Sequence, residues 1–177
     1  DRYFVGGPKN TVQHLVKIRI VDEDLDLVKS FDVVHTSCYS FLEEEIPLLA
    51  KHAKVSYDFS DVKDEKLIER VCPYLSFAFF SGAEFLDVEL DEFLDKLKKY
   101  DIEVIGITRG AKPALFVSKG NRYYREPIET DVVDTMGAGD SFIAGFLYGM
   151  SEGLSIKESM IKGAKNSSVT IGYKGAW

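Results

Sequence analysis

The sequence predicts an α/β fold, a mainly parallel sheet sandwiched by helices. Three observations carry this. From residue 31 onward, short apolar runs rich in β-branched and aromatic residues alternate with stretches of helical period. Each run ends in a turn of glycine, hydroxyl or acidic residues, and a hairpin pattern appears once, late in the chain.

The elements follow in order. Residues 2–5 read as a short strand ended by Gly6-Gly7-Pro8, a plain turn because no helical pattern follows it. Residues 11–20 alternate in polarity without settling on a helix or a strand. Residues 22–29 form a short helix with an acidic start, and 31–35 a buried strand. Residues 42–52 read as a helix with Pro47 near its start, since proline is tolerated in a first turn. A strand at 55–57 ends at Asp58-Phe59-Ser60-Asp61, and a helix at 65–71 stops near Pro73. The strand at 77–80 ends at Ser81-Gly82-Ala83-Glu84. The helix at 90–100 has Phe93, Leu94 and Leu97 on one face, and the strand at 104–107 ends at Thr108-Arg109-Gly110. Runs at 114–117 and 122–124 flank a turn containing Gly120, a hairpin signal. A further strand is expected at 130–133. Two helices close the chain, 138–150 and 156–171, separated by a turn at Gly153. Without a linker, repeat or low-complexity segment, residues 1–177 read as a single domain or part of one.

The 177 residues are 45% hydrophobic and 29% charged, which suffices for a real core. The net charge of −7, with no basic run longer than a pair such as Lys98-Lys99, argues against nucleic acid or an anionic membrane as partner. No apolar run is long enough to span a bilayer. Two cysteines, Cys38 and Cys72, lack a paired-ligand spacing and read as free buried thiols of a reducing cytosol. His14, His35 and His52 show no zinc-ligand spacing.

One stretch carries chemistry. In Asp134-Thr135-Met136-Gly137-Ala138-Gly139-Asp140-Ser141-Phe142 two close glycines run into an acid at the start of a helical pattern. A helix start offers unpaired N–H groups and partial positive charge, so it holds anions, phosphate above all. Gly137 and Gly139 let a phosphate approach the backbone without a Cβ in the way. Asp140, a second anion beside that phosphate, needs chemistry to do. It reads as the base of a phosphoryl-transfer site, against the plain alternative of a helix-start acid. Ligands of open α/β sheets collect at the carboxyl ends of the strands. The turns bearing Asp58, Ser81 and Glu84, Thr108 and Gly110, and Asp140 are therefore expected on one rim.

The segment from Asp134 to Asp140 resembles the C-terminal signature of the ribokinase-like (PfkB) carbohydrate kinases. Tyr57-Asp58-Phe59-Ser60-Asp61, residues 77–80 and the ending Gly175-Ala176-Trp177 look most like the fructoselysine 6-kinase branch of that family. The resemblance covers the C-terminal portion of the family fold, without the Gly-Gly sugar motif and early substrate-binding aspartate of the first half. Residues 1–5 then look like the last strand of a small β lid. Such lids can pair between subunits, so a homodimer through the lid is among the expectations.

The resemblance implies a cytoplasmic, ATP-dependent kinase that phosphorylates a primary hydroxyl of a sugar or fructosamine. The alternative is a non-catalytic, nucleotide-binding fragment or remnant of one. Asp140 is implied as base, and the N–H groups of Gly137, Ala138, Gly139 and Asp140 as an anion hole. Glu84 matches the glutamate of an Asn-x-x-Glu motif that orders magnesium-bound water, with Ser81 in place of asparagine. Thr108 and Gly110 match the start of a Thr-x-Gly-x-x-Gly element lining the donor phosphates, with Pro113 in place of the last glycine. Arg109 reads either as a rim charge for ATP or as an ordinary exposed arginine. Asp58 falls on the first acid of an Asp-x-Asn-x-Arg run whose other members are absent, and reads as a structural turn acid. Asp134, with carbonyls of Met136, Thr170, Tyr173 and Gly175, matches a potassium site in some members; an acid bracing turn N–H groups is the other reading. Ala164 and Asn166 are implied beside the adenine.

Overall fold

The computed structural model describes residues 16–176. The strand expected at residues 2–5, and the Gly6-Gly7-Pro8 turn, lie outside them. Thirteen elements follow, counting one 3-10 turn: α1 (Asp22–Val28), β1 (Val33–Ser37), α2 (Ile46–Leu49), β2 (Lys54–Asp58), α3 (Glu65–Val71), the 3-10 turn Cys72–Tyr74, β3 (Phe77–Ser81), α4 (Asp87–Leu97), β4 (Val104–Thr108), β5 (Ala114–Ser118), β6 (Asn121–Arg125), α5 (Ala138–Ser151) and α6 (Ile156–Thr170). The strands form one sheet in the order β1-β2-β3-β4-β5-β6. The first four are parallel and the last two antiparallel, so the α/β reading holds with a hairpin at one side. Lys119 and Gly120 turn that hairpin, both at positive φ, as a two-residue loop between twisted strands requires.

The two-residue period of the strands builds two cores. On β3, Ala78 and Phe80 face one way while Phe77 and Phe79 face the other. Leu115 and Phe116 divide in the same manner on β5. One face packs against α2, α3 and α4 through Leu49, Ile68, Phe93 and Leu97. The other packs against α5 and α6 through Phe142, Phe146, Met160 and Ala164. Phe146 is fully buried, 4.7 Å from the Phe116 ring and 5.9 Å from that of Phe79.

Helices α5 and α6 lie unusually close. A Cβ at Gly145 would come 2.8 Å from the Lys162 carbonyl oxygen, and one at Gly149 2.8 Å from the Ser159 Cα. Small residues at these two positions are what allows the backbones to touch.

Four elements differ from the sequence reading. The strand expected buried over 31–35 lies at Val33–Ser37 and is only partly buried, with Phe31 56% exposed before it. The helix expected over 42–52 is a single turn, Ile46–Leu49, with Pro47 in it. Its upstream acids are committed elsewhere. The Glu45 carboxylate accepts from Arg19 Nη1 at 2.7 Å and from the Ile20 N–H at 3.1 Å. Glu43 accepts from the Tyr57 hydroxyl at 3.1 Å. The helix expected from residue 90 begins at Asp87, because Glu89 accepts the Leu86 N–H at 2.9 Å and closes the start. Residues 130–133 form no strand. Val132 and Val133 are both 61% exposed, and the Val133 N–H bonds the Ile171 carbonyl at 2.8 Å beyond the end of α6. Residues 16–20 carry no regular structure either.

Cys72 is buried and Cys38 half-buried; both are free. Burial pushes their thiols up to about 12 and about 11, so neither is a thiolate at neutral pH. Among the described residues no helix is long and apolar enough to cross a membrane.

Phe146→Ala is expected to lower the free energy of unfolding by about 3–5 kcal/mol, because the void opens against the buried Phe79 and Phe116 rings. Val132→Ala, on an exposed residue, should change it by less than about 0.5 kcal/mol. Urea denaturation of both variants checks the assignment of α5 to the core.

Candidate active site

The site is built where the carboxyl ends of β1 to β4 meet the start of α5. Backbone bonds stitch the successive loops together. The Cys38 N–H donates to the Asp58 carbonyl at 2.9 Å, the Ser81 N–H to that of Ser60 at 2.6 Å, and the Gly82 N–H to that of Thr108 at 2.8 Å. The loops carrying Asp58, Ser81 and Thr108 thus form one rim.

Above this rim the glycine motif turns into α5. Gly137 is the N-cap, at φ +73 and ψ 2, a left-handed conformation that glycine adopts without strain. A Cβ there would also meet Ala176 at 2.8 Å. The Ser141 N–H closes the first turn on the Gly137 carbonyl at 2.9 Å. The Ala138 N–H is taken by the Thr135 carbonyl at 3.3 Å. The N–H groups of Gly137, Gly139 and Asp140 bond to no other described residue, so three of the four expected donors stand ready for an anion.

Asp140 is exposed at the head of α5, and its charge reaches two strand ends. Burial pushes the Asp58 carboxyl up to about 6; the Ser60 N–H, donating to Asp58 Oδ1 at 2.8 Å, opposes this, while the charges of Asp140 and Asp61 add to it. Its surroundings hold the His35 imidazole below its ordinary value, against the pull of the Asp140 charge. His35 Nδ1 lies 2.9 Å from Ser56 Oγ on the neighbouring strand. His35 is the residue the sequence reading missed. Its signal, a polar side chain near the end of an apolar strand, is visible in the sequence but silent about what stands opposite.

Other candidates fall as follows. Thr108 Oγ1 donates to the Phe80 carbonyl at 3.5 Å, and Gly110 sits at φ +61 in the turn after β4. Glu84 is exposed in the β3–α4 loop and makes no hydrogen bond or ion pair with another described residue. Asp134 accepts the Met136 N–H on Oδ1 at 3.0 Å and the Gly175 N–H on Oδ2 at 3.1 Å, so it braces the turn against the end of the chain. Ala164 is 4% exposed and packs into the core with Phe142. Asn166 donates from Nδ2 to the Ser141 carbonyl at 2.8 Å and borders an open groove of about 450 Å³ with Tyr148 and Lys165. Ser141 Oγ in turn lies 2.7 Å from Thr170 Oγ1, so the first turn of α5 is pinned to the last turn of α6. Arg109 is not the ordinary exposed arginine of one reading. Its side chain is only 9% exposed and pairs with Asp87 at 2.7 Å. Among the described residues no three His, Cys, Asp or Glu side chains cluster as metal ligands.

The raised Asp58 carboxyl has a definite sign. The folded state takes up a proton more readily than the unfolded chain, so this residue's contribution to stability falls as pH rises from about 4 through about 6. Asp58→Asn is expected to stabilise the protein at pH 7.5 by about 1–3 kcal/mol, an advantage that vanishes near pH 4. Thermal melts of both forms across that range check it.

Residues 9–177 match the model of the pfkB family carbohydrate kinases. The chain is 37% identical to the fructosamine kinase FrlD of Bacillus subtilis (strain 168), covering 100% of this chain and 62% of that protein. It is 35% identical to the fructoselysine 6-kinase of Escherichia coli (strain K12), covering 88% of this chain and 60% of that one. The chain therefore spans somewhat under two thirds of the length of these curated relatives. Arabidopsis thaliana ribokinase, solved in complex with ribose and ATP, superposes with a TM-score of 0.76 over 89% of this chain and 55% of its own, at 22% identity, which speaks to the fold alone. A ribokinase-like α/β sheet, a glycine turn with free N–H groups at a helix start, and this matched span place the chain in the pfkB family of carbohydrate kinases.

Proposed function

We propose that this protein transfers the γ-phosphoryl group of ATP to a primary hydroxyl of a sugar–amine conjugate, as a fructoselysine 6-kinase does. The observation that carries the reading is the set of unpaired N–H groups of Gly137, Gly139 and Asp140 at the head of a 14-residue helix, with the Asp140 carboxylate beside them. Phosphoryl transfer demands little covalent chemistry from a protein. It demands positioning, and neutralisation of charge spread over the phosphoryl oxygens.

In this reading the donor phosphates lie along the Thr108–Gly110 turn and end at the N–H groups of the glycine motif. The sugar hydroxyl oxygen attacks the γ-phosphorus while its proton passes to the Asp140 carboxylate. The new O–P bond forms as the bond from phosphorus to the β,γ-bridging oxygen breaks, and ADP leaves. The N–H groups, fixed by the helix, meet the developing charge without reorganising. Asp140 is exposed at the head of α5 and makes no ion pair or side-chain hydrogen bond with another described residue, so its carboxylate is open to the hydroxyl proton.

Magnesium fits the residues present. Glu84 is an exposed carboxylate without a partner among the described residues, and a hydrated magnesium ion held chiefly by phosphates needs one or two such groups rather than a cage. Bound there, it would screen the phosphate charge within a protein of net charge −7. A potassium ion beside Asp134 and the Met136 carbonyl is the corresponding reading for the turn before α5. Asp134 accepts the N–H groups of Met136 and Gly175, which holds its carboxylate at that turn. The sugar-binding residues and a lid dimer belong to the reading by analogy with the relatives.

Asp140→Asn, assayed in the intact protein with ATP, magnesium and fructoselysine, is expected to cut kcat by about 10²–10⁴-fold with ATP affinity kept. Turnover within about threefold of the parent would remove Asp140 as the base. ATP binding without turnover on any sugar by the unsubstituted protein would favour a nucleotide-binding remnant instead.

A further inference from the structure

On the opposite face of the sheet from α5 lies a cavity of about 620 Å³, lined by the start of α4, the β4–β5 turn and β6. None of residues 134–140 borders it, so it is separate from the glycine turn. Its volume is in the range of small-molecule sites. Phe85 and Leu90, 7% and 4% exposed, form an apolar floor, and Pro113 and Tyr124 form apolar walls.

The charged groups around this cavity are unevenly satisfied. A guanidinium has five N–H donors and wants them met, above all when it is out of water. The Arg109 side chain is 91% buried by complement of its 9% exposure, yet it makes one bond to a described residue, Nη2 to Asp87 Oδ1 at 2.7 Å. Its Nε is buried with no hydrogen-bond partner. The partner it has is a poor anchor, because the Asp87 side chain is 87% exposed and free to rotate into water. Lys112 Nζ donates only to the Ala83 carbonyl, at 3.2 Å. Arg122 pairs with Asp91 at 2.6 Å. Three cations thus face two carboxylates around an apolar floor, in a protein that is acidic as a whole.

We propose that this cavity binds a small organic oxyanion, a carboxylate or phosphate monoester on an apolar or aromatic body, with Arg109 as its anchor. The oxyanion displaces Asp87 and takes the guanidinium fork in two parallel N–H···O bonds, while Lys112 adds charge. The apolar body covers Phe85 and Leu90 and rests against Tyr124. The cavity lies apart from the glycine turn, although its anchor Arg109 belongs to the Thr108–Gly110 turn on which the phosphoryl-transfer reading lays the donor phosphates.

The test is a titration of the ¹⁵N-labelled protein with phenyl phosphate, benzoate and, as a neutral control, phenol. The Arg109 Nε–Hε resonance and the amides of Phe85 and Tyr124 report on the cavity; those of Gly137 and Gly139 report on the glycine turn. Saturable shifts at the cavity with one or both anions, and none there with phenol, are expected; the two anions separate phosphate from carboxylate as the preferred group. Arg109→Gln should weaken cavity binding by about tenfold or more. Asp87→Asn, on an exposed side chain, removes the internal competitor and should tighten it by about two- to fivefold. Anion shifts confined to the glycine turn, or Asp87→Asn binding that is unchanged or weaker, would overturn the proposal.

Discussion

The arrangement depends on the close seating of α5 between α6 and the sheet. Gly145 and Gly149 let the two helix backbones touch, and Phe142 and Phe146 press α5 onto the aromatic ridge of Phe79 and Phe116. A helix fixed along its length has a fixed beginning. Its first turn therefore projects Gly137, Gly139 and Asp140 over the strand ends at a position set by core packing rather than by loop conformation. The bonds from Asn166 to the Ser141 carbonyl and between Ser141 and Thr170 pin that turn a second time.

Electrostatics follows from this seating. An N–H cradle attracts an anion, and Asp140 adds a carboxylate at the same helix head. The charge of Asp140 is felt by Asp58 and His35, both shifted toward their uncharged forms, mainly by burial. Asp58, pushed up to about 6, thus lets the rim beneath the cradle answer a change of pH in the weakly acidic range. Arg109, a candidate rim cation in the sequence, is instead largely buried on the other face of the sheet and paired with Asp87.

Much of the fold was legible because strands and helices declare themselves by period. The run Phe77-Ala78-Phe79-Phe80 is apolar on both faces, and it became a central strand between two cores. The glycine turn was legible for a local reason: a helix start with two glycines has few uses besides holding an anion. What failed depended on distant partners. Val132-Val133 is apolar enough for a strand, but its N–H went to the Ile171 carbonyl and not to a strand edge. Residues 42–52 read as one helix, but the acids Glu43 and Glu45 within it were claimed by Tyr57 and Arg19. Arg109 could not be placed by its neighbours in sequence, since its burial is decided by α4 and β6, and the field of Asp140 at His35 crosses from the last third of the chain to the first strand.

The central claim is that the head of α5 receives the donor phosphates. It is tested most directly by following the backbone amides of Gly137, Ala138, Gly139 and Asp140 by NMR as ATP and magnesium are added. Large saturable shifts at Gly137, Gly139 and Asp140, with a smaller one at Ala138, whose N–H is already bonded, are the predicted result. ATP that binds while leaving these amides unmoved would contradict the account.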